Sequence, residues 1–129
     1  MTTAYLTLDD ALAAAEAFLG ANVEVRDYGL LSSALGRPQA SVFGRDAYAD
    51  IHLKAAALLC SLVANHPLVD GNKRLGWVCV RLFYIQNNLD LTAPVDEAYD
   101  LVMSVAEGAE PELAGVAAAL ARWSHPLRS

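Results

Sequence analysis

The stretch NHPLVDGNKR, Asn65 to Arg74, separates two of the most apolar runs of the chain. Before it, Lys54 to Ala64 reads KAAALLCSLVA; after it, Leu75 to Ile85 reads LGWVCVRLFYI. Both runs are apolar nearly all round at helical spacing. That pattern marks two central, buried helices, predicted over about residues 47–64 and 72–87. Packing has no use for His, Asp, Asn, Lys and Arg gathered at such a junction, so their presence asks for a chemical reason.

Outward from that pair, the remaining segments also read as helices. Thr7 and Asp10 have the spacing of a capping box, and apolar residues recur through Leu8, Leu12, Ala15, Phe18 and Leu19 before Gly20. A first helix is predicted over about residues 8–19. Asp27 caps a short second helix through Leu35, which Gly36 and Pro38 end. QASVFG, Gln39 to Gly44, sets β-formers between turn residues and predicts a short hairpin or flap. Pro94 stands at the N1 position of a helix reaching about Ala106, and Glu110-Pro111 opens a last one through Trp123. The fold class is therefore all-α: a compact bundle of about six helices with a short β-flap.

Composition narrows the class further. The chain has 129 residues, 55% hydrophobic and 19% charged, enough for one ordered domain with a real core. No apolar run reaches the roughly 18 residues a membrane span needs, and Lys54 and Arg81 interrupt the two best candidates. MTTAYLTLDDAL at the N-terminus lacks the basic and apolar regions of a signal peptide, so a cytoplasmic protein with no membrane role is expected. Cys60 and Cys79 fall inside the apolar runs and read as buried small hydrophobes, not as a disulfide or metal site.

A net charge of −6 argues against direct nucleic-acid binding. Its distribution is more telling. Residues 82–121 carry seven acids and no Lys or Arg, which leaves Lys73, Arg74 and Arg81 as a positive island. Such an island suits one small anion.

The junction supplies what an anion needs. A helix starting near Asn72 offers unpaired N–H groups and partial positive charge, and Gly71 allows close backbone approach. Lys73 and Arg74 fall in the first turn, where the macrodipole disfavours cations unless an anion compensates them. Asp70 is a hard oxygen donor suited to Mg²⁺ beside phosphates. His66 can take a proton from a hydroxyl near neutral pH. General base, metal carboxylate, backbone cradle and two cations are the parts of phosphoryl or nucleotidyl transfer.

The plainer reading is a polar loop between two core helices, and each residue taken singly fits it. The chain carries its own control: His125-Pro126-Leu127 repeats the HPL triplet with no carboxylate, glycine or cation pair behind it. His125 is expected at the surface near a frayed terminus. His52 is expected to pack or cap on its helix, and Arg81 to pair with an acid of the next helix. His66 is distinguished by its company.

HPLVDGNKR resembles the signature of the Fic/Doc family, HPFx(D/E)GN followed in the Doc branch by a basic pair. The flanking segments Arg26 to Gly44 and Ala47 to Arg74 also resemble the Doc layout, so the whole chain, residues 1–129, is expected to be one Fic/Doc-like domain. The resemblance implies a toxin of a toxin–antitoxin module that uses ATP and Mg²⁺ to phosphorylate a threonine of elongation factor Tu and so arrests translation. It implies His66 as general base, Asp70 as the Mg²⁺ residue and Gly71 and Asn72 as the cradle for the transferred phosphoryl group. Lys73 and Arg74 would hold the remaining phosphates. Ser41, Val42, Phe43 and Gly44 would form the flap that takes the target segment as an added strand.

Two alternatives accompany that reading. Other Fic enzymes transfer AMP to a target hydroxyl, but they carry a glycine where this chain has Lys73 and a second arginine where it has Trp77. The third possibility is an idle antitoxin-binding module, suggested by Leu68 in place of the motif's Phe and by Gly76, which costs a helix about 1 kcal/mol relative to Ala. The family's autoinhibitory pattern, Ser/Thr-x-x-x-Glu-Gly/Asn, is missed by one residue at Ser104 to Gly108. Restraint would then come from a Phd-like antitoxin, whose disordered C-terminal segment would fold as a helix into an apolar groove.

Overall fold

The computed structural model describes residues 2–108 and 112–127. Among these are six α-helices, and α3 is the element around which the rest is arranged. It spans Ile51–Asn65 and packs against α4 (Asn72–Gln86), α6 (Leu113–Trp123) and α2 (Tyr28–Gly36). Its side chains from Lys54 to Leu59 and Ser61 to Val63 are buried, as an all-round apolar helix requires. The fold is all-α with only short two-stranded sheets, as the sequence predicts.

Caps decide where the helices begin. In α1 (Leu8–Leu19) the Thr7 hydroxyl accepts from the Asp10 N–H while Asp10 accepts from the Thr7 N–H, the reciprocal box read from sequence. Asp27 caps α2 by accepting from the Leu30 N–H. α3 starts later than the predicted Ala47. Asp50 accepts from the N–H groups of both His52 and Leu53, and the residues before it belong to a hairpin closed by Ala47 N–H donating to the Ala40 carbonyl. α5 spans Val95–Glu107 with Pro94 at N-cap, one position before the predicted N1. The predicted opening of the last helix at Glu110-Pro111 lies outside the described residues.

The hairpin pairs β1 (Ser41–Val42) with β2 (Arg45–Asp46) across Phe43 and Gly44, both at positive φ. Beneath it, Lys54 is only 2% exposed. Its ammonium meets the Asp46 carboxylate at 3.1 Å and the Pro38 carbonyl at 3.4 Å, and lies 5.6 Å from the Tyr5 ring centre. Burial lowers its pKa, and the Tyr5 hydroxyl and Asp46 more than reverse that, so the group stays charged.

A second sheet has no counterpart in the sequence reading. β3 (Leu89–Leu91) runs antiparallel to β4 (Ser124–Pro126), tying the chain end back to α4. His125 is exposed as expected, yet it sits in β4 with Nε2 2.8 Å from the Thr92 hydroxyl, not in a frayed tail. Arg81 pairs with an acid, but that acid is Asp90 of β3 and not a residue of the next helix. His52 reaches across to the next helix and not to its own: its Nδ1 lies 2.9 Å from the buried Tyr84 hydroxyl of α4. Cys79 is fully buried, and burial pushes its thiol up to about 12.

Candidate active site

The chain leaves α3 through His66, which takes the left-handed conformation (φ 48°, ψ 55°). This is an uncommon geometry for a residue with a side chain, and the surroundings hold it there. Arg26 donates from Nε to the His66 carbonyl at 2.8 Å and from Nη2 to the Asn65 carbonyl at 3.0 Å. The Asn65 amide in turn donates to the Leu30 carbonyl.

Beyond His66 the loop is held on both sides. The segment Glu24 to Asp27 runs antiparallel to it, bridging Val25 to Leu68. Arg26 and Asp27 N–H groups donate to the Pro67 carbonyl, and the Val69 N–H donates to the Glu24 carbonyl. Leu68 is 1% exposed, so this aliphatic residue anchors the loop in the core. On the other side, the Asn72 amide accepts from the Leu68 N–H at 2.8 Å and donates to the Leu68 carbonyl at 3.0 Å.

Gly71 is the N-cap of α4 at φ 90°, with no side-chain cap. A Cβ there would collide with the Leu19 side chain at the end of α1. Only glycine fits. With no capping side chain, the N–H groups of Asn72, Lys73 and Arg74 have no partner among the described residues and face outward from the helix start. The Asp70 carboxylate accepts from the Gly71 N–H through Oδ1, which leaves Oδ2 available. One free carboxylate oxygen beside a helix start with unpartnered N–H groups is a fitting donor for Mg²⁺, which usually takes one or two carboxylates and completes its shell with water and phosphate oxygens.

His66, Asp70, Lys73 and Arg74 are all exposed, and the His66 imidazole and Lys73 ammonium make no hydrogen bond or ion pair among the described residues. Arg74 donates to the Phe18 carbonyl at 3.0 Å, capping the end of α1. Next to this loop lies a cavity of about 290 Å³ bounded by Leu19, Glu24, Asp70, Gly71 and Arg74. Arg74 also borders a larger apolar groove of about 610 Å³ between α4 and α5, whose walls include Lys73, Trp77, Tyr99 and Val102.

The structure thus gathers His66, Asp70, Gly71, Asn72, Lys73 and Arg74 on one loop and helix start. It gives the Asn72 side chain to the loop itself, so only the Asn72 N–H remains for a ligand. The hairpin of Ser41 to Gly44 is fastened through Asp46 to Lys54, which lies about 18 Å along α3 from His66. Among the described residues no hydrogen bond joins the hairpin to the loop. Arg26, Leu19 and Asn65 were not singled out by sequence as site residues. Each acts through a neighbour distant in the chain, and no local motif carries that signal.

The segment that holds this helix pair and loop matches the Fic/DOC family over residues 5–84, and the chain belongs to that family. Toxin Doc of Mycolicibacterium smegmatis is 48% identical over 125 residues, an alignment covering 91% of this chain and 96% of that one.

Proposed function

We propose that this chain is the toxin of a toxin–antitoxin module and acts as a protein kinase that moves the γ-phosphoryl group of ATP to a threonine hydroxyl of elongation factor Tu. The observation that carries the reading is the start of α4: three unpartnered N–H groups and the cations Lys73 and Arg74 meet at one point, beside Asp70 and His66. Family membership and the extensive identity to a Doc toxin support it.

In this reading His66 takes the proton of the target hydroxyl as its oxygen attacks the γ-phosphorus, and the bond to the β-phosphate oxygen breaks to release ADP. The open backbone at Gly71 and the free Asn72 N–H receive the transferred group, while Lys73 and Arg74 hold the other phosphates. Asp70 would hold Mg²⁺, which neutralises phosphate charge. Lys73 stands where AMP-transferring relatives have glycine, and its bulk favours presenting the γ-phosphate. The hairpin Ser41 to Gly44 offers a free strand edge to the target segment, with Val42 and Phe43 exposed on it.

Restraint comes from a Phd-like antitoxin whose disordered segment folds into the groove between α4 and α5. Trp77, Tyr99 and Val102 supply apolar anchors there and Lys73, Arg74 and Arg81 a basic rim. Among the described residues no helix is long and apolar enough to cross a membrane, and the site of action is the cytoplasm, where translation runs. Expression of the wild-type chain in a bacterial host should arrest growth, with relief by the co-expressed antitoxin. At equal protein level His66→Ala should be silent; a toxic His66→Ala protein contradicts the reading.

A further inference from the structure

We propose that Arg26 is a positioning residue for His66, holding the histidine in its left-handed geometry by gripping the end of α3. The inference rests on His66 being the general base. Its starting point is the last turn of a helix, whose carbonyls have no partner within the helix. At the end of α3 three consecutive carbonyls, of Asn65, His66 and Pro67, are all satisfied by one residue: Arg26 Nη2 at 3.0 Å, Arg26 Nε at 2.8 Å and the Arg26 N–H at 2.7 Å.

The side chain is exposed, so burial is not its contribution. Among the described residues it forms no ion pair, and its charge is directed at the negative end of α3. The guanidinium is planar, and its N–H donors have fixed relative directions. Two carbonyls bound at once therefore fix the peptide planes on both sides of the His66 Cα, and with them φ and ψ. A left-handed residue with a Cβ is strained, so without the fork the backbone at His66 is free to relax to an extended conformation. The imidazole would move with it. Lys73, Arg74 and the start of α4 are held separately, through Asn72, Gly71 and Leu19, and would stay in place.

The geometry therefore separates two functions: Arg26 sets the base and leaves the phosphate site alone. Arg26→Gln removes the fork, and Arg26→Lys keeps the charge at the helix end without the fixed two-pronged geometry. With ATP and elongation factor Tu, kcat is expected to fall about 10- to 100-fold in Arg26→Gln and less in Arg26→Lys, with KM for ATP changed by less than about twofold. Equal loss in kcat and in ATP affinity, or kcat within about twofold of wild type for Arg26→Gln, overturns the proposal. A second readout needs no transferred phosphate: backbone ¹³Cα and amide shifts of labelled protein should move at His66 and stay at Lys73 in Arg26→Gln. Unmoved His66 shifts overturn the proposal. If wild type transfers no label, the kinase reading fails and the shifts alone decide the role of Arg26.

Discussion

Asn72 and Leu68 are joined by two reciprocal hydrogen bonds, the Asn72 amide accepting from the Leu68 N–H and donating to the Leu68 carbonyl. A side chain at the start of α4 thereby satisfies both backbone groups of a residue buried to 1% exposure. Asn72→Ala leaves those two groups without partners and should cost about 2 to 4 kcal/mol. The midpoint of urea unfolding should fall accordingly, and the Glu24 to Asp27 segment paired with the loop should exchange its amides faster. Asn72→Asp keeps only the accepting bond and should fall between.

A Cβ added at Gly71 would run into the end of the Leu19 side chain. Gly71→Ala places a Cβ both at positive φ and into the Leu19 side chain, and should destabilise by about 2 to 4 kcal/mol. Removing the obstacle separates the two causes. In a Leu19→Ala background the Gly71→Ala cost should drop to the conformational part, about 1 kcal/mol, a coupling measurable by a double-mutant cycle. Equal costs in both backgrounds would mean Leu19 yields freely.

Gly76 has a different justification from the one helix propensity supplies. Propensity alone says Gly76→Ala stabilises α4 by about 1 kcal/mol. Yet an added Cβ would lie 3.1 Å from Leu59 Cδ1 and 3.3 Å from Val63 Cγ2, both on the buried face of α3. Both neighbours are buried and must give by a few tenths of an ångström to admit it, so Gly76→Ala should lower stability by about 1 kcal/mol. Calorimetric melting of the two proteins checks the sign. Gly76 marks close packing of α3 and α4, which removes one of the two departures that suggested an idle protein.

Acid should destabilise the fold through two carboxylates. Asp10 is held below its ordinary value of 3.8, first by the Thr7 N–H and then by the Gln86 amide. Asp90 is lowered first by its hydrogen bond from Arg81 and then by the Leu91 N–H. A depressed folded pKa stabilises above the unfolded value, and the benefit disappears as pH falls through the folded one. Stability should therefore be level from neutral pH down to about pH 4 and decline below it. Asp10→Asn should be less stable than wild type at neutral pH, with the difference shrinking in acid; urea midpoints across the range test this.

How far the sequence could be read depended on the distance between cause and effect along the chain. Thr7 with Asp10 and Asp27 with Leu30 are local, so α1 and the start of α2 were legible. The start of α3 was misread because the apolar pattern extends back over residues that the hairpin claims, and Asp50, not periodicity, ends the competition. β3 and β4 are short, and their residues find partners 33 or more positions away, a pairing no local pattern signals. The same holds within the site. His66 to Arg74 are contiguous and could be read as a unit, whereas Arg26 lies 40 residues upstream of His66 and acts on carbonyls that have no sequence signature. The direction of the Asn72 side chain was equally hidden, since it depends on the turn closing over Leu68.

The most direct test of the central claim uses purified protein, Mg²⁺ and elongation factor Tu, with ATP labelled on the γ- or the α-phosphate in parallel reactions. Label on the factor from γ-labelled ATP alone, lost in His66→Ala, is the expected result and makes His66 the base of a kinase. Label from α-labelled ATP would contradict it, showing AMP transfer in spite of Lys73.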